Sequence, residues 1–137
     1  MAHLREVPAL TLDAAKAMAA AAERFAGEQG WTVAIAVVNA AGGLVLFHCL
    51  EDTQPGSQEV AVLKARTAAR FHRSTKAFED GIGGGRVALL TLPGVVALEG
   101  GLPIRAAGKI VGGIGVSGMA SAQDGEVAAA GLAALQL

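Results

Sequence analysis

The stretch Gly108–Gly118, which reads Gly-Lys-Ile-Val-Gly-Gly-Ile-Gly-Val-Ser-Gly, constrains this chain more than any other segment. It lies between a strand-like run and a helix-like run. Its second half, Gly113–Gly118, spells the dinucleotide pattern G-x-G-x-x-G. A dinucleotide site also needs a βαβ unit after the glycines and an acidic residue about 20 positions further on to hold the ribose. The sequence runs only to Leu137, which leaves room for neither, so no dinucleotide site is expected. The alternative is a closely packed last strand over Lys109–Ser117, whose glycines imply that another backbone or a ligand approaches closely.

A chain of 137 residues suits a single domain over 1–137, burying about two-thirds of its unfolded surface. Hydrophobic residues are 53% and charged residues 17%, an apolar excess that predicts homo-oligomerisation. Aromatics are few, so the core should be built from Val, Leu, Ile and Ala. The net charge of −1 argues against nucleic acid as a partner. The lone Cys49 excludes an internal disulfide and suits a reducing compartment. The N-terminus has no signal-peptide pattern, so a cytoplasmic location is expected. Trp31–Leu50 carries no charge and is long enough to span a bilayer, but Asn39-Ala-Ala-Gly-Gly interrupts it and its flanks alternate with period two. It reads as a hairpin, not a membrane segment.

Thr11 is the expected N-cap of a first helix that ends at Gly30, with Leu12, Met18, Ala22, Phe25 and Ala26 as its buried stripe. Thr32–Val38 and Leu44–Leu50 form an antiparallel hairpin. A second helix runs from about Ser57 to His72, and a short third piece is capped by Ser74 or Thr75 and ends at Asp80-Gly81. Val87–Leu92, Val95–Leu98 and Lys109–Ser117 are the remaining strands. Ser121-Ala-Gln-Asp124 resembles a capping box that opens the last helix. The order α-β-β-α-α-β-β-β-α is that of an α+β antiparallel sheet with helices packed on it.

In the second helix, Val60, Leu63, Thr67, Ala68 and Phe71 share one face at about 100° per residue. Arg66, Arg70 and Arg73 share the opposite one with Glu59, as a solvated face or an oligomer contact. Lys64 falls on the apolar side. A buried ammonium is costly unless paired or deprotonated. Lys64 is therefore an anion anchor or a tuned base, unless its stem carries the charge out to an edge.

His72 ends that helix, where the dipole favours imidazolium. His48 and Cys49 are adjacent in a strand and point to opposite faces, so they cannot chelate one ion together. No paired His or Cys spacing is present, and no metal site is expected. Ser117 is no nucleophile elbow, because Met119 stands where that motif needs glycine. In Gly100-Gly101-Leu102-Pro103-Ile104-Arg105 the glycines permit close approach, and N–H groups beside Arg105 could hold a carboxylate. A plain tight turn between strands explains the same residues.

Lys64-Ala-Arg-Thr67-Ala-Ala-Arg-Phe71, Ser74-Thr75, Leu92-Pro93-Gly94, Gly100–Ile104, Gly112–Gly118 and Gln123-Asp124 occur in that order. Together they resemble the GlcG/HbpS-type family, the haem-degrading domain family also found at the C-terminus of PduO-like proteins. The resemblance runs from Leu10 to Gly131. It implies a profilin-like fold with a five-stranded antiparallel sheet, oligomers built from dimers, and a ligand pocket near a subunit interface, with haem or corrinoid bound by some members. Two departures stand out. Relatives usually have proline before the threonine where this chain has Ser74-Thr75, and Gly81–Arg86 is short. No residue matches a haem axial ligand of the family; His48 and His72 are candidates by chemistry alone.

The leading expectation is a small-ligand-binding or haem-binding protein. Its site would be a pocket between the second helix (Lys64, Thr67, Phe71, His72) and the loop of Gly100, Gly101, Pro103 and Ile104 with Arg105, and His48 would be a further cofactor contact. The alternative is a cofactor-independent lyase, isomerase or tautomerase acting on a small carboxylate, with Lys64 or His72 moving a proton.

Overall fold

The computed structural model describes residues 3–135. Helix α1 spans Leu12–Gln29. Thr11 caps its start by accepting from the Ala14 N–H at 3.1 Å, and Gly30 ends it at φ 74°. Its buried stripe is Ala15, Met18, Ala19, Ala22 and Ala26. Two residues expected in that stripe sit at its margin. Leu12 is 50% exposed, and Phe25 packs edge-on against Trp31 at 5.9 Å.

Strands β1 (Ala34–Asn39) and β2 (Leu44–Cys49) form the expected hairpin. The Asn39 side chain closes its turn by accepting from the Ala41 and Gly43 N–H groups. The uncharged run Trp31–Leu50 is thus mostly sheet. Among the described residues no helix is long and apolar enough to cross a membrane. Helices α2 (Gly56–Phe71) and α3 (Thr75–Gly83) follow, then strands β3 (Gly101–Ala106) and β4 (Lys109–Ser117), then helix α4 (Ser121–Leu132). The sheet is antiparallel with order β2-β1-β4-β3.

The sheet has four strands where five were expected. Val87–Leu92 is not a strand: Val87–Thr91 is a 3-10 turn in which the Thr91 hydroxyl bonds back to the Ala88 carbonyl. Val95–Leu98 joins no ladder. A short apolar run carries no decisive period, and here only Leu89 of the first run is buried. The third strand lies instead where a loop was expected, at Gly101–Ala106. Pro103 is compatible with that position because β3 is an edge strand, where a missing N–H can face away from the ladder.

Helices cover both faces. Ile35, Val37, Ile104, Ile114 and Val116 point into a core shared with α1 and α4. On the other face Ala34, Ala36 and Val38 meet Ala61, Ala65 and Ala69 of α2. The glycines of β4 explain how close that helix lies. A Cβ on Gly113 would collide with the Ala65 carbonyl, and one on Gly115 with the Ala61 carbonyl. The expected packing face of α2 is therefore rotated: its buried residues are Ser57, Ala61, Lys64, Ala65, Thr67, Ala68 and Ala69, with Val60, Leu63 and Phe71 only half-buried. A glycine-floored sheet brings the helix backbone too near for Leu or Phe beneath it, so alanines form the contact and larger side chains flank it.

The start of α4 also differs from expectation. Ser121 is its first helical residue, Ala120 is the N-cap, and Gln123 Oε1 accepts from the Ala120 N–H at 3.2 Å. Asp124 is left free to face elsewhere.

Candidate functional site

Lys64 is 1% exposed. Its ammonium donates to the Val116 carbonyl at 2.9 Å and to Asp124 Oδ2 at 3.1 Å. Asp124 Oδ1 accepts from the Met119 N–H at 3.0 Å. Burial pushes the Asp124 carboxyl above the ordinary carboxylate range; the Met119 N–H and then Lys64 oppose that shift without cancelling it. The burial of Lys64 foreseen from the helix face is correct, and its stem does not escape to an edge. The partner was not foreseen, because Asp124 lies 60 residues away.

Thr67 and Thr75 are buried threonines that pin the segment leading into β3. Thr67 Oγ1 donates to the Leu63 carbonyl at 2.8 Å and accepts from the Val96 N–H at 3.1 Å. Thr75 Oγ1 accepts from the Gly101 N–H at 2.8 Å. Gly100 and Gly101 sit hard against Lys64 and β4: a side chain on Gly100 would meet the Val116 carbonyl and the Lys64 ammonium, and one on Gly101 the Lys64 carbonyl. Pro103 is buried, and Ile104 points into the core on the other face. The glycines were read rightly as close-approach residues, but what approaches is α2, and the contact is closed.

At the C-terminal end of α2 the chain is open. His72 caps the helix in the left-handed region (φ 57°, ψ 33°) and is exposed. Arg105 Nη2 donates to its carbonyl at 2.9 Å. Phe71 stacks edge-on with Phe78 at 5.9 Å, and the Arg73 guanidinium lies 5.2 Å from the Phe78 ring centre. The other arginines of that face are not merely solvated. Arg66 donates to the Gly42 carbonyl at 2.9 Å and Arg70 to the Ala41 carbonyl at 3.0 Å, holding the β1–β2 turn onto the helix.

His48 lies apart from all of these. In register with Ile35, it faces the α1 side of the sheet, with Nδ1 2.7 Å from Glu23 Oε1. The ring lacks the alignment of a hydrogen bond to that oxygen. The structure therefore brings Arg105 onto the His72 carbonyl, turns Phe71 against Phe78, buries Lys64 and Thr67 of α2 together with Gly100, Gly101 and Pro103, and puts His48 and Ile104 across the sheet.

The clefts lie along the N-terminal arm. One of about 340 Å³ is lined by Arg5, Val7, Pro8, His72, Lys109 and Ile110. A neighbouring one of about 360 Å³ shares Val7 and Pro8 and continues past Leu10, Asn39 and Val111. Sequence reasoning missed Arg5 and Lys109, since an exposed cation carries no local signal until the fold brings it beside others. Among the described residues, no three His, Cys, Asp or Glu side chains are grouped to hold a metal.

Residues 10–133 match the family model for "Haem degrading protein HbpS-like". The chain belongs to the HbpS-like family. Within that family it is similar to Protein GlcG of Escherichia coli (strain K12), with 40% identity over 108 residues, 79% of this chain and 81% of that protein. Among solved structures it is similar to a double mutant of HbpS from Streptomyces reticuli, with a TM-score of 0.92 and 33% identity, covering 100% of this chain and 94% of that one. It is also similar to the protein of a PduOC:heme complex, with a TM-score of 0.85 and 28% identity, covering 94% of this chain and 96% of that one. The α+β antiparallel architecture is that of its HbpS-like neighbours.

Proposed function

We propose that this chain is a small-molecule-binding protein of the HbpS-like family whose ligand class is haem, held in the cleft beside His72. The carrying observation is that His72 lines that cleft at the exposed end of α2, whereas His48 lies across the sheet with its Nδ1 beside Glu23. The lining suits the group: His72 would offer the iron an imidazole nitrogen, and Val7, Pro8 and Ile110 would offer apolar wall. A bound haem would bring a redox-active, Lewis-acidic iron; the chain's own part is to position it and limit its contact with water. Corrinoids can also take an imidazole nitrogen on their metal and belong to the same reading.

The relative described as a haem complex supports this reading by likeness alone. An enzyme using Lys64 as its proton carrier draws less support, because that ammonium already has two protein partners and no solvent contact. Self-association belongs to the same proposal. Leu4, Val87, Leu90 and Leu98 are 68%, 63%, 68% and 45% exposed, apolar surface that an oligomer would cover.

Titrating the purified protein with hemin tests the proposal. A saturable Soret shift that His72→Ala removes and His48→Ala leaves intact is expected. A shift lost in His48→Ala but kept in His72→Ala would move the site across the sheet and overturn the assignment.

A further inference from the structure

We infer that the cleft between the N-terminal arm and the C-terminal end of α2 is an anion-binding site, built for a small aliphatic carboxylate. The inference rests on the reading above for the position of the site and goes beyond it in the chemistry the site selects. The cleft of about 340 Å³ gathers Arg5, His72 and Lys109 and has no acidic residue in its lining. None of those three side chains is in a salt bridge among the described residues. In a chain of net charge −1, a concave surface lined by the Arg5 and Lys109 cations, with no carboxylate in its lining, focuses a positive field.

Two details of the backbone aim those groups. His72 occupies the left-handed conformation at the end of α2, a position that favours glycine, so a histidine held there is strained. The β3–β4 hairpin turns at Ala107 (φ 50°) and Gly108 (φ 74°), which pairs Lys109 with Ala106. Arg105, one residue earlier, donates to the His72 carbonyl. A helix C-terminus is the negative end of its dipole and would repel an anion. The Arg105 guanidinium covers that carbonyl, so the cleft is governed by its cations.

The ligand's body follows from the adjoining cleft. Val7 and Pro8 are shared walls, and Leu10 and Val111 extend the apolar surface past Asn39. An anionic head between Arg5 and Lys109 can therefore lead a short aliphatic chain along the arm. A bare inorganic anion would use only the first half of this surface.

Calorimetric and NMR titration with hexanoate, hexanamide and inorganic phosphate tests this. Hexanoate should bind more tightly than either of the others and shift the amide resonances of Val7 and Ile110. Arg5→Gln and Lys109→Gln should each weaken hexanoate about tenfold, the worth of one charge-assisted hydrogen bond. Lys16→Gln, on the exposed side of α1, should change nothing. Equal binding of hexanoate and hexanamide, shifts that map elsewhere, or wild-type affinity in both cleft variants would each overturn the inference. A hemin Soret shift without hexanoate binding would sink this inference and leave the haem reading standing. Hexanoate binding without a Soret shift would do the reverse.

Discussion

Lys64 and Asp124 come from helices on opposite faces of the sheet and meet at 3.1 Å beside the end of β4. Each is only 2% exposed at its side chain. The pair, with the Val116 carbonyl and the Met119 N–H, ties α2, β4 and α4 together where the sheet ends. A buried pair of this kind gains little over a well-packed apolar substitute, but losing one partner strands a charge.

Lys64→Met should therefore destabilise the fold by about 3–5 kcal/mol, because it leaves the Asp124 carboxylate buried alone. The double variant Lys64→Met/Asp124→Asn should recover part of that loss. Urea unfolding of the set measures both numbers. A single variant within about 1 kcal/mol of wild type would show that the pair does not hold the layers together.

The pH dependence follows from the same carboxyl. Burial raises Asp124 above its ordinary value of 3.8. Above that pH the folded chain holds a proton there that the unfolded chain has released, so the contribution of Asp124 to stability falls as pH rises from 3.8 through its folded value. The wild-type unfolding free energy minus that of Asp124→Asn, measured across the acid range, should fall as pH rises. A wild-type contribution that grows with pH over that window contradicts the assignment.

Glycine substitutions should divide by what lies above them. Gly115→Ala would drive a methyl into the backbone of Ala61 and Ala65, and should cost about 3 kcal/mol or prevent folding. Gly27→Ala, in α1 with open space around it, should stabilise by about 0.5–1 kcal/mol. Thermal melts of the two proteins should move in opposite directions.

Thr67→Val keeps the shape of a buried side chain and removes the acceptor for the Val96 N–H. The expected loss is about 1–3 kcal/mol, with hydrogen-exchange protection falling at Val96. Unchanged protection at that amide would mean the segment before β3 is held by packing alone.

Local chemistry was legible along the chain wherever a residue's role depends on its neighbours in sequence. Thr11 and Gly30 bound the first helix, Asn39 and the glycines after it turn the hairpin, and the glycines of β4 demand a close neighbour. The family pattern in Lys64–Phe71, Gly100–Ile104 and Gly112–Gly118 was readable too, and with it the antiparallel α+β architecture. The apolar helical position of Lys64 marked it as a costly charge, while leaving open whether it paired, lost its proton or reached an edge.

What only the tertiary structure decided is which distant groups meet. Asp124 answers Lys64 because α4 returns beside the end of β4, and spacing along the chain does not encode that return. The glycine loop became an edge strand because β4 offers it a ladder, while Val87–Thr91 found none and coiled into a 3-10 turn. The cleft beside His72 exists because a hairpin, a helix end and the N-terminal arm converge, and the cations that line it are separated in sequence. Backbone preference acts over a few residues; burial and charge pairing act through space, so the fold could be read from the chain and its site could not.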